Sequence, residues 1–196
     1  MNILVLGSGA REHSICWAVK KSKACKKLFC SPGNAGIEKV AECKFINLKK
    51  KLHILNFCKK NSIDLVIVGP EEYLADGVSD YLQTKGIKTF GPIKKAAKLE
   101  TSKSFAKSFL LKNKILTPKY RKFTMSNKAL NYLNSLNFPI VIKADGLAAG
   151  KGVMICKNFS QAEQTIKLMM EKKKFGDAGK KIIIEEFIDG FEISYF

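Results

Sequence analysis

A chain of 196 residues in which 46% are apolar can bury a sizeable core, so disorder is excluded as its resting state. Thirty-five basic against seventeen acidic residues give a formal charge of +18, which favours anionic partners. Only Arg11 and Arg121 are arginines, however, and the lysines fall in short runs at 20–21, 49–51 and 172–174, which read as solvated helix faces and not as a nucleic-acid surface of arginine forks and stacked aromatics.

In chain order, an apolar run at 3–6, a helical-period segment at 11–21 and a second run at 27–30 predict a βαβ opening. A strand near 45–46, a helix over 48–61 burying Leu52, Leu55 and Cys58, a strand at 65–68, a helix over 73–85 and a strand at 88–90 continue it. Strands alternating with helices imply a doubly wound parallel sheet covered on both faces, with ligands outside the carboxyl ends of the strands. After Gly91-Pro92 the pattern changes to basic helices at 94–100 and 102–112, read as a connector. A second unit then shows strands at 120–123, 140–144, 153–156, 182–186 and 192–196, with helices at 126–136 and 160–170. The expected division is an amino-terminal α/β domain at 1–92, a connector at 93–118 and a second domain at 119–196. The last apolar run reaches Phe196 without turn residues, so the second sheet is expected to be incomplete at its carboxyl end.

Six cysteines without a CxxC pair, and only His13 and His53 as histidines, indicate neither a zinc site nor a disulfide framework. The amino terminus lacks a charged and then apolar leader, and no run approaches a membrane span, so a reduced cytoplasmic setting without a membrane partner is expected.

The first loop, Gly7-Ser8-Gly9-Ala10-Arg11-Glu12-His13, joins a strand to a helix whose free N–H groups attract an anion. A dinucleotide fingerprint would place a third glycine where Glu12 stands and an acidic residue after the second strand, which instead runs into Ser31-Pro32-Gly33-Asn34-Ala35-Gly36, so NAD binding is not expected. Arg11 reads either as a phosphate ligand or as a surface arginine on a structural turn. A third loop, Val68-Gly69-Pro70-Glu71-Glu72, opens on the same sheet edge, and Glu71 there either meets a cation or amine or simply benefits from a helix amino terminus.

The segment from Ile140 through Lys143, Gly146, Gly150, Lys151 and Gly152 to Val153 places a lysine at the end of an apolar strand, then small residues, then a new strand. Gly152 follows Lys151 where a Walker loop needs Ser or Thr, and no helix begins there. Such a hairpin can fold over a triphosphate with bare backbone N–H groups while its lysines offset charge. The strand ending in Glu185 and Glu186, followed by Phe187, Ile188 and Glu192, can offer backbone groups to an adenine edge and a carboxylate to a ribose; in isolation a strand with a solvated turn is the stronger reading.

These pieces occur in one order: NILVLGSGAREH (2–13), SPGNAG (31–36), VGPEEYLADGVSD (68–80), TFGPIKKAAKLETSKSFAK (89–107), PIVIKADGLAAGKGV (139–153) and IIIEEFIDGFEIS (182–194). As an ordered set covering the chain from end to end, they resemble the glycinamide ribonucleotide synthetase family of the ATP-grasp superfamily. The resemblance implies a Rossmann-like domain ahead of an ATP-grasp α+β fold. It also implies a ligase of purine biosynthesis, in which ATP phosphorylates the carboxylate of glycine and the amine of 5-phosphoribosylamine displaces phosphate. By matching position, Lys103 and Lys143 would contact ATP phosphates under a closing loop that carries Gly146, Gly150, Lys151 and Gly152. Glu185, Glu186, Phe187 and Ile188 would read adenine mainly through their backbone, Glu192 would hold the ribose, and Gly9, Arg11, Asn34 and Glu71 would face phosphoribosylamine. Mg²⁺ or Mn²⁺ ligands are expected in the family's remaining carboxyl-terminal part and none in this chain, which makes a complementary carboxyl-terminal fragment one candidate partner and leaves the isolated chain expected to be inactive. Two competing readings are another purine-pathway ATP-grasp ligase, against which 9–13 and 143–153 argue, and a non-catalytic nucleotide-binding or interaction fragment, which predicts no turnover with all substrates present.

Overall fold

The computed structural model describes residues 1–148 and 150–195, and the chain forms two compact units, Met1–Ala97 and Lys98–Phe196. In the first, strands β1 (Asn2–Gly7), β2 (Lys27–Pro32), β3 (Glu42–Cys43), β4 (Leu65–Val68) and β5 (Lys88–Phe90) form one sheet in the order β3-β2-β1-β4-β5. Every pairing in it is parallel, so each strand must be followed by a crossover. The crossovers cover both faces. Leu4, Leu6, Phe29, Val66 and Val68 pack with Ile54, Leu55 and Cys58 of α2 (Lys51–Lys60) and Val78 and Leu82 of α4 (Val78–Thr84). Ile3, Val5, Leu28, Cys30 and Ile67 point the other way, onto Cys16 of α1 (Ala10–Lys20) and Ile37 of a short 3₁₀ turn. This is the doubly wound parallel architecture that the alternating pattern predicts.

Three local expectations change. The strand expected at 45–46 forms instead at Glu42–Cys43, because Ile46 turns into the core and gives its N–H to Ser31 Oγ at 3.1 Å, while Phe45 is 91% exposed. Helix α2 buries Ile54, Leu55 and Cys58 but leaves Leu52 exposed, since Ile54 shifts the buried stripe away from it. The single helix expected over 73–85 breaks into α3 (Glu71–Asp76) and α4 at Gly77, whose φ of +81° is a left-handed turn open to glycine.

Helices α5 (Lys94–Thr101) and α6 (Lys103–Lys112) precede the second sheet, in which β6 (Tyr120–Phe123), β7 (Ile140–Ala144), β8 (Val153–Cys156) and β9 (Ile182–Glu186) are antiparallel in the order β6-β9-β7-β8. Ile140, Ile142, Ala144, Ile182 and Ile184 face α7 (Ser126–Leu133) and α8 (Phe159–Ile166), burying Ala129, Leu133, Ala162 and Ile166. Period-two alternation sends Val141, Lys143, Ile183 and Glu185 to the opposite face, where Val153 and Ile155 of β8 are exposed. The strand expected at 192–196 is absent from its described part. Residues 187–195 carry no regular structure, Phe191, Ile193 and Tyr195 are exposed, and a lone segment has no ladder to satisfy its backbone; Phe196 lies outside the described residues. Among the described residues no helix is long and apolar enough to cross a membrane.

Candidate functional site

Two sets of residues emerge, one in each unit. In the first, β2, β1 and β4 are neighbours, so their following loops meet at one edge of the sheet. Gly33 N–H donates to Gly7 O at 3.1 Å and Gly69 N–H to Leu6 O at 3.1 Å, which extends the ladder into the loops. The Asn34 side chain joins two of them: its Nδ2 donates to Ser8 O at 2.7 Å, and its Oδ1 accepts from the N–H groups of Gly36 and Ile37 at 2.8 and 2.9 Å. Asn34 therefore acts on the loops themselves.

The centre of this edge is Glu12, a residue that sequence reasoning noted only as standing where a third glycine would be. It is 3% exposed, its Oε2 accepts the Gly9 N–H at 2.7 Å, and its Oε1 accepts from Arg11 Nε at 3.2 Å. Arg11 Nη2 in turn donates to Glu71 Oε2 at 3.1 Å. Both open readings of Glu71 hold at once: it begins α3, and it meets a cation. Its own backbone N–H and Arg11 lower its pKa, and Glu71 and Glu12 raise that of Arg11. Two carboxylates around one guanidinium leave this cluster with a net negative charge, which suits an amine better than it suits a bare phosphate.

The same carboxylate explains a glycine. A Cβ on Gly69 would lie 2.6 Å from Glu12 Cγ, and Glu12 is too buried to move aside freely. Gly69→Ala is expected to lower stability by about 1–3 kcal/mol, as overpacking does. Urea unfolding followed by the fluorescence of Trp17, the single tryptophan, measures it. Glu12→Ala in the same chain removes the clash, so the double variant should lose less than the two single losses added together; strict additivity would refute this account of Gly69.

In the second unit, Lys143 of β7 lies opposite Ile183 of β9, which sets it diagonal to Glu185 on one face of the sheet. Lys143 Nζ is 2.7 Å from Glu185 Oε2, and Lys107 Nζ is 3.1 Å from Glu185 Oε1. Lys107 also donates to Pro118 O at 3.1 Å. The Glu185 side chain is only 2% exposed, and Oε1 has no well-aligned hydrogen-bond donor despite the nearby ammonium.

One helical turn before Lys107, Lys103 begins α6, and its Nζ donates to Gly146 O at 3.2 Å. The helix start is capped by Ser102 Oγ, which accepts from Phe105 N–H at 3.3 Å, and by Asp145, whose Oδ1 accepts from Ser104 N–H at 2.6 Å and whose Oδ2 accepts from Ser102 Oγ at 3.0 Å. Burial acts to raise the Asp145 pKa, but the Ser104 and Ser102 hydrogen bonds and Lys181 together hold it below the ordinary value. Burial lowers that of Lys103, against the pull of Asp145 and Glu100. A lysine held in this way is poorly hydrated and rigidly placed, which favours an incoming polyanion.

The structure thus unites Lys103, Lys143, Gly146 and Glu185, and adds Lys107 and Asp145, which sequence reasoning missed. The i, i+4 spacing of Lys103 and Lys107 and the place of Asp145 between Lys143 and Gly146 were the available signals. The hairpin turns through Gly150 at φ +74°, with Lys151 N–H donating to Ala148 O at 2.9 Å; Ala149 lies outside the described residues. Lys151, Gly150 and Glu192 are exposed and take no part in the contacts of this cluster, whereas Gly152 is buried where the hairpin closes, its carbonyl accepting from Ala144 N–H at 2.8 Å. Glu185 lies inside the ladder opposite Tyr120 and Val141, and Glu186 N–H donates to Lys119 O at 3.0 Å. Backbone free to meet a base edge therefore begins at Phe187 and Ile188, both exposed. A cavity of about 510 Å³ beside Phe187 is walled by Tyr132, Leu136, Phe138, Ile184 and Glu185, and Lys143 is not among its lining residues.

Residues 1–100 match the family described as phosphoribosylglycinamide synthetase, N domain, and residues 101–196 match phosphoribosylglycinamide synthetase, ATP-grasp (A) domain. A phosphoribosylamine–glycine ligase of Clostridium acetobutylicum is 47% identical over 194 residues, covering 99% of this chain and 47% of that protein. One from Fusobacterium nucleatum is 48% identical, covering 99% and 46%. The chain spans about half the length of the curated relatives it matches. Among solved structures, the phosphoribosylamine–glycine ligase of Thermotoga maritima superposes with a TM-score of 0.73 at 29% identity, over 97% of this chain and 45% of that one. The biotin carboxylase domain of a Hydrogenobacter thermophilus 2-oxoglutarate carboxylase, solved with MgADP and bicarbonate, gives a TM-score of 0.77 over 96% of this chain and 44% of that one; at 15% identity it shows a shared fold alone.

Proposed function

The chain belongs to the phosphoribosylglycinamide synthetase family, and on that premise we propose that it forms the amino-terminal half of an ATP-dependent ligase joining glycine to 5-phosphoribosylamine. The observation that carries the reading is the pair of lysines, Lys103 and Lys143, fixed by Gly146 O and by buried Glu185 beside a glycine-rich hairpin. Residues 1–92 would bind phosphoribosylamine, 93–118 would connect, and 119–196 would bind ATP.

In the first step a carboxylate oxygen of glycine attacks the γ-phosphorus of ATP, forming glycyl phosphate and releasing ADP. In the second the amine of phosphoribosylamine attacks the acyl carbon, the amide forms, and phosphate leaves. Lys103 and Lys143 would offset charge on the transferring phosphoryl group, with Lys151 and the backbone of Gly146, Gly150 and Gly152 closing over it. Phe187 and Ile188 would offer free backbone to adenine, next to Glu185 and Glu186, and Glu192 would meet the ribose. Gly9 and Asn34 shape the other site, where the negative cluster of Arg11, Glu12 and Glu71 would attract the substrate amine. Arg11 uses part of a guanidinium that carries five donors, so it can still reach a phosphate. Among the described residues no group of three or more His, Cys, Asp or Glu side chains could hold a metal ion; Mg²⁺ or Mn²⁺ ligands would come from the family's remaining carboxyl-terminal part, and no step is assigned to either metal. Six free cysteines support a reducing, cytoplasmic setting.

The test is a chimera of these 196 residues with the remaining part of the Clostridium acetobutylicum relative. Supplied with ATP, Mg²⁺, glycine and fresh phosphoribosylamine, it is expected to release ADP over many turnovers only when glycine and the amine are both present, and none without glycine. A chimera that binds ADP yet shows no glycine-dependent release would refute the assignment.

A further inference from the structure

Three cysteines of the first unit converge beneath the loops that follow β1 and β2. Cys30 of β2 and Cys43 of β3 are register partners in the parallel ladder, so their side chains leave the same face of the sheet. Neighbouring strands stand about 4.8 Å apart, which lies within the Cα separation of roughly 4.4–6.8 Å that a disulfide spans. Cys30 is fully buried, with Sγ donating to Gly7 O at 3.4 Å, and it shares a buried cluster with Cys16 of α1. Cys43 is half-buried, with Sγ 4.0 Å from Asn34 O and packed on Gly33 so closely that a Cβ there would collide with it.

We propose that Cys30 and Cys43 form a reversible modification site for peroxides, Cys43 being oxidised first and Cys30 closing the disulfide. Cys43 is the member of the trio that solvent reaches, whereas Cys16 and Cys30 are fully buried. A peroxide oxygen transfers to Cys43 Sγ, so that an S–O bond forms, the O–O bond breaks and water leaves. Cys30 Sγ then attacks that sulfur, the S–S bond forms, the S–O bond breaks, and the departing oxygen takes the Cys30 proton as a second water. Two thiols are oxidised and one hydrogen peroxide is reduced to two waters. The bridge draws Cys43 Sγ away from the Asn34 carbonyl, and Asn34 is the residue whose side chain clasps Ser8, so oxidation is transmitted to both loops.

The whole chain is treated with hydrogen peroxide, its remaining thiols are alkylated, and intact mass and proteolytic fragments are read. The expected result is the loss of two hydrogens, a linked fragment containing Cys30 and Cys43, and recovery with dithiothreitol; Cys16→Ser leaves all three unchanged. Cys43→Ser abolishes the bridge. Because Cys30→Ser alters a fully buried position, alkylation of Cys43 in the unaltered chain provides the second block. Absence of any bridge, a bridge that uses Cys16 or Cys25, or a bridge that survives Cys43→Ser would overturn the proposal.

Discussion

Glu185→Ala is expected to destabilise the second unit by about 3–5 kcal/mol, the range found when one partner of a buried ion pair is removed. The reason is Lys107. Its side chain is 9% exposed, it faces Glu185 Oε1 at 3.1 Å, and with that carboxylate gone its ammonium keeps the Pro118 carbonyl and a distant ring face, Tyr120 at 5.6 Å, but no counter-charge from Glu185. Lys143, at 27% exposed, can turn to water and adds less to the loss. Amide hydrogen exchange of β7 and β9 reads the effect. Replacing Lys107 by Met together with Glu185 by Leu removes the charge and its counter-charge at once, so that double variant should be more stable than Glu185→Ala alone. If it is less stable, desolvation of Lys107 is not what makes Glu185 matter.

Lys143→Met is expected to weaken nucleotide binding in the chimeric ligase by about 1.5–3 kcal/mol, or roughly 10- to 150-fold, the worth of a charge-assisted hydrogen bond. Glu185 holds its ammonium 2.7 Å from a carboxylate oxygen, so little side-chain freedom remains to be lost when a phosphate arrives. Lys172→Met, at an exposed position, should change affinity by no more than about 0.5 kcal/mol. Calorimetric titration with a non-hydrolysable ATP analogue separates the two. Equal losses at Lys143 and Lys172 would mean that bulk positive charge, and not this cluster, sets the affinity.

Much of this protein is determined locally. Buried parallel strands must be continuous apolar runs, so 3–6, 27–30 and 65–68 are legible, and a parallel sheet then requires their following loops to share one edge. The hairpin after Lys143 is legible for a similar reason, since glycines between two strand patterns leave few alternatives to a turn. Tertiary structure decided the rest. Ile46 abandons the ladder for a bond to Ser31 Oγ, a partner fifteen positions away that no periodicity reveals. Residues 192–196 read as a strand, yet 192–195 form none, since a strand exists only where another backbone accepts its hydrogen bonds. Glu12, Asp145 and Lys107 are each a common polar residue in an ordinary local setting. Their importance arises because the fold buries them against Gly9, Ser104 and Glu185, and a buried charge must be satisfied by whatever the tertiary structure brings beside it.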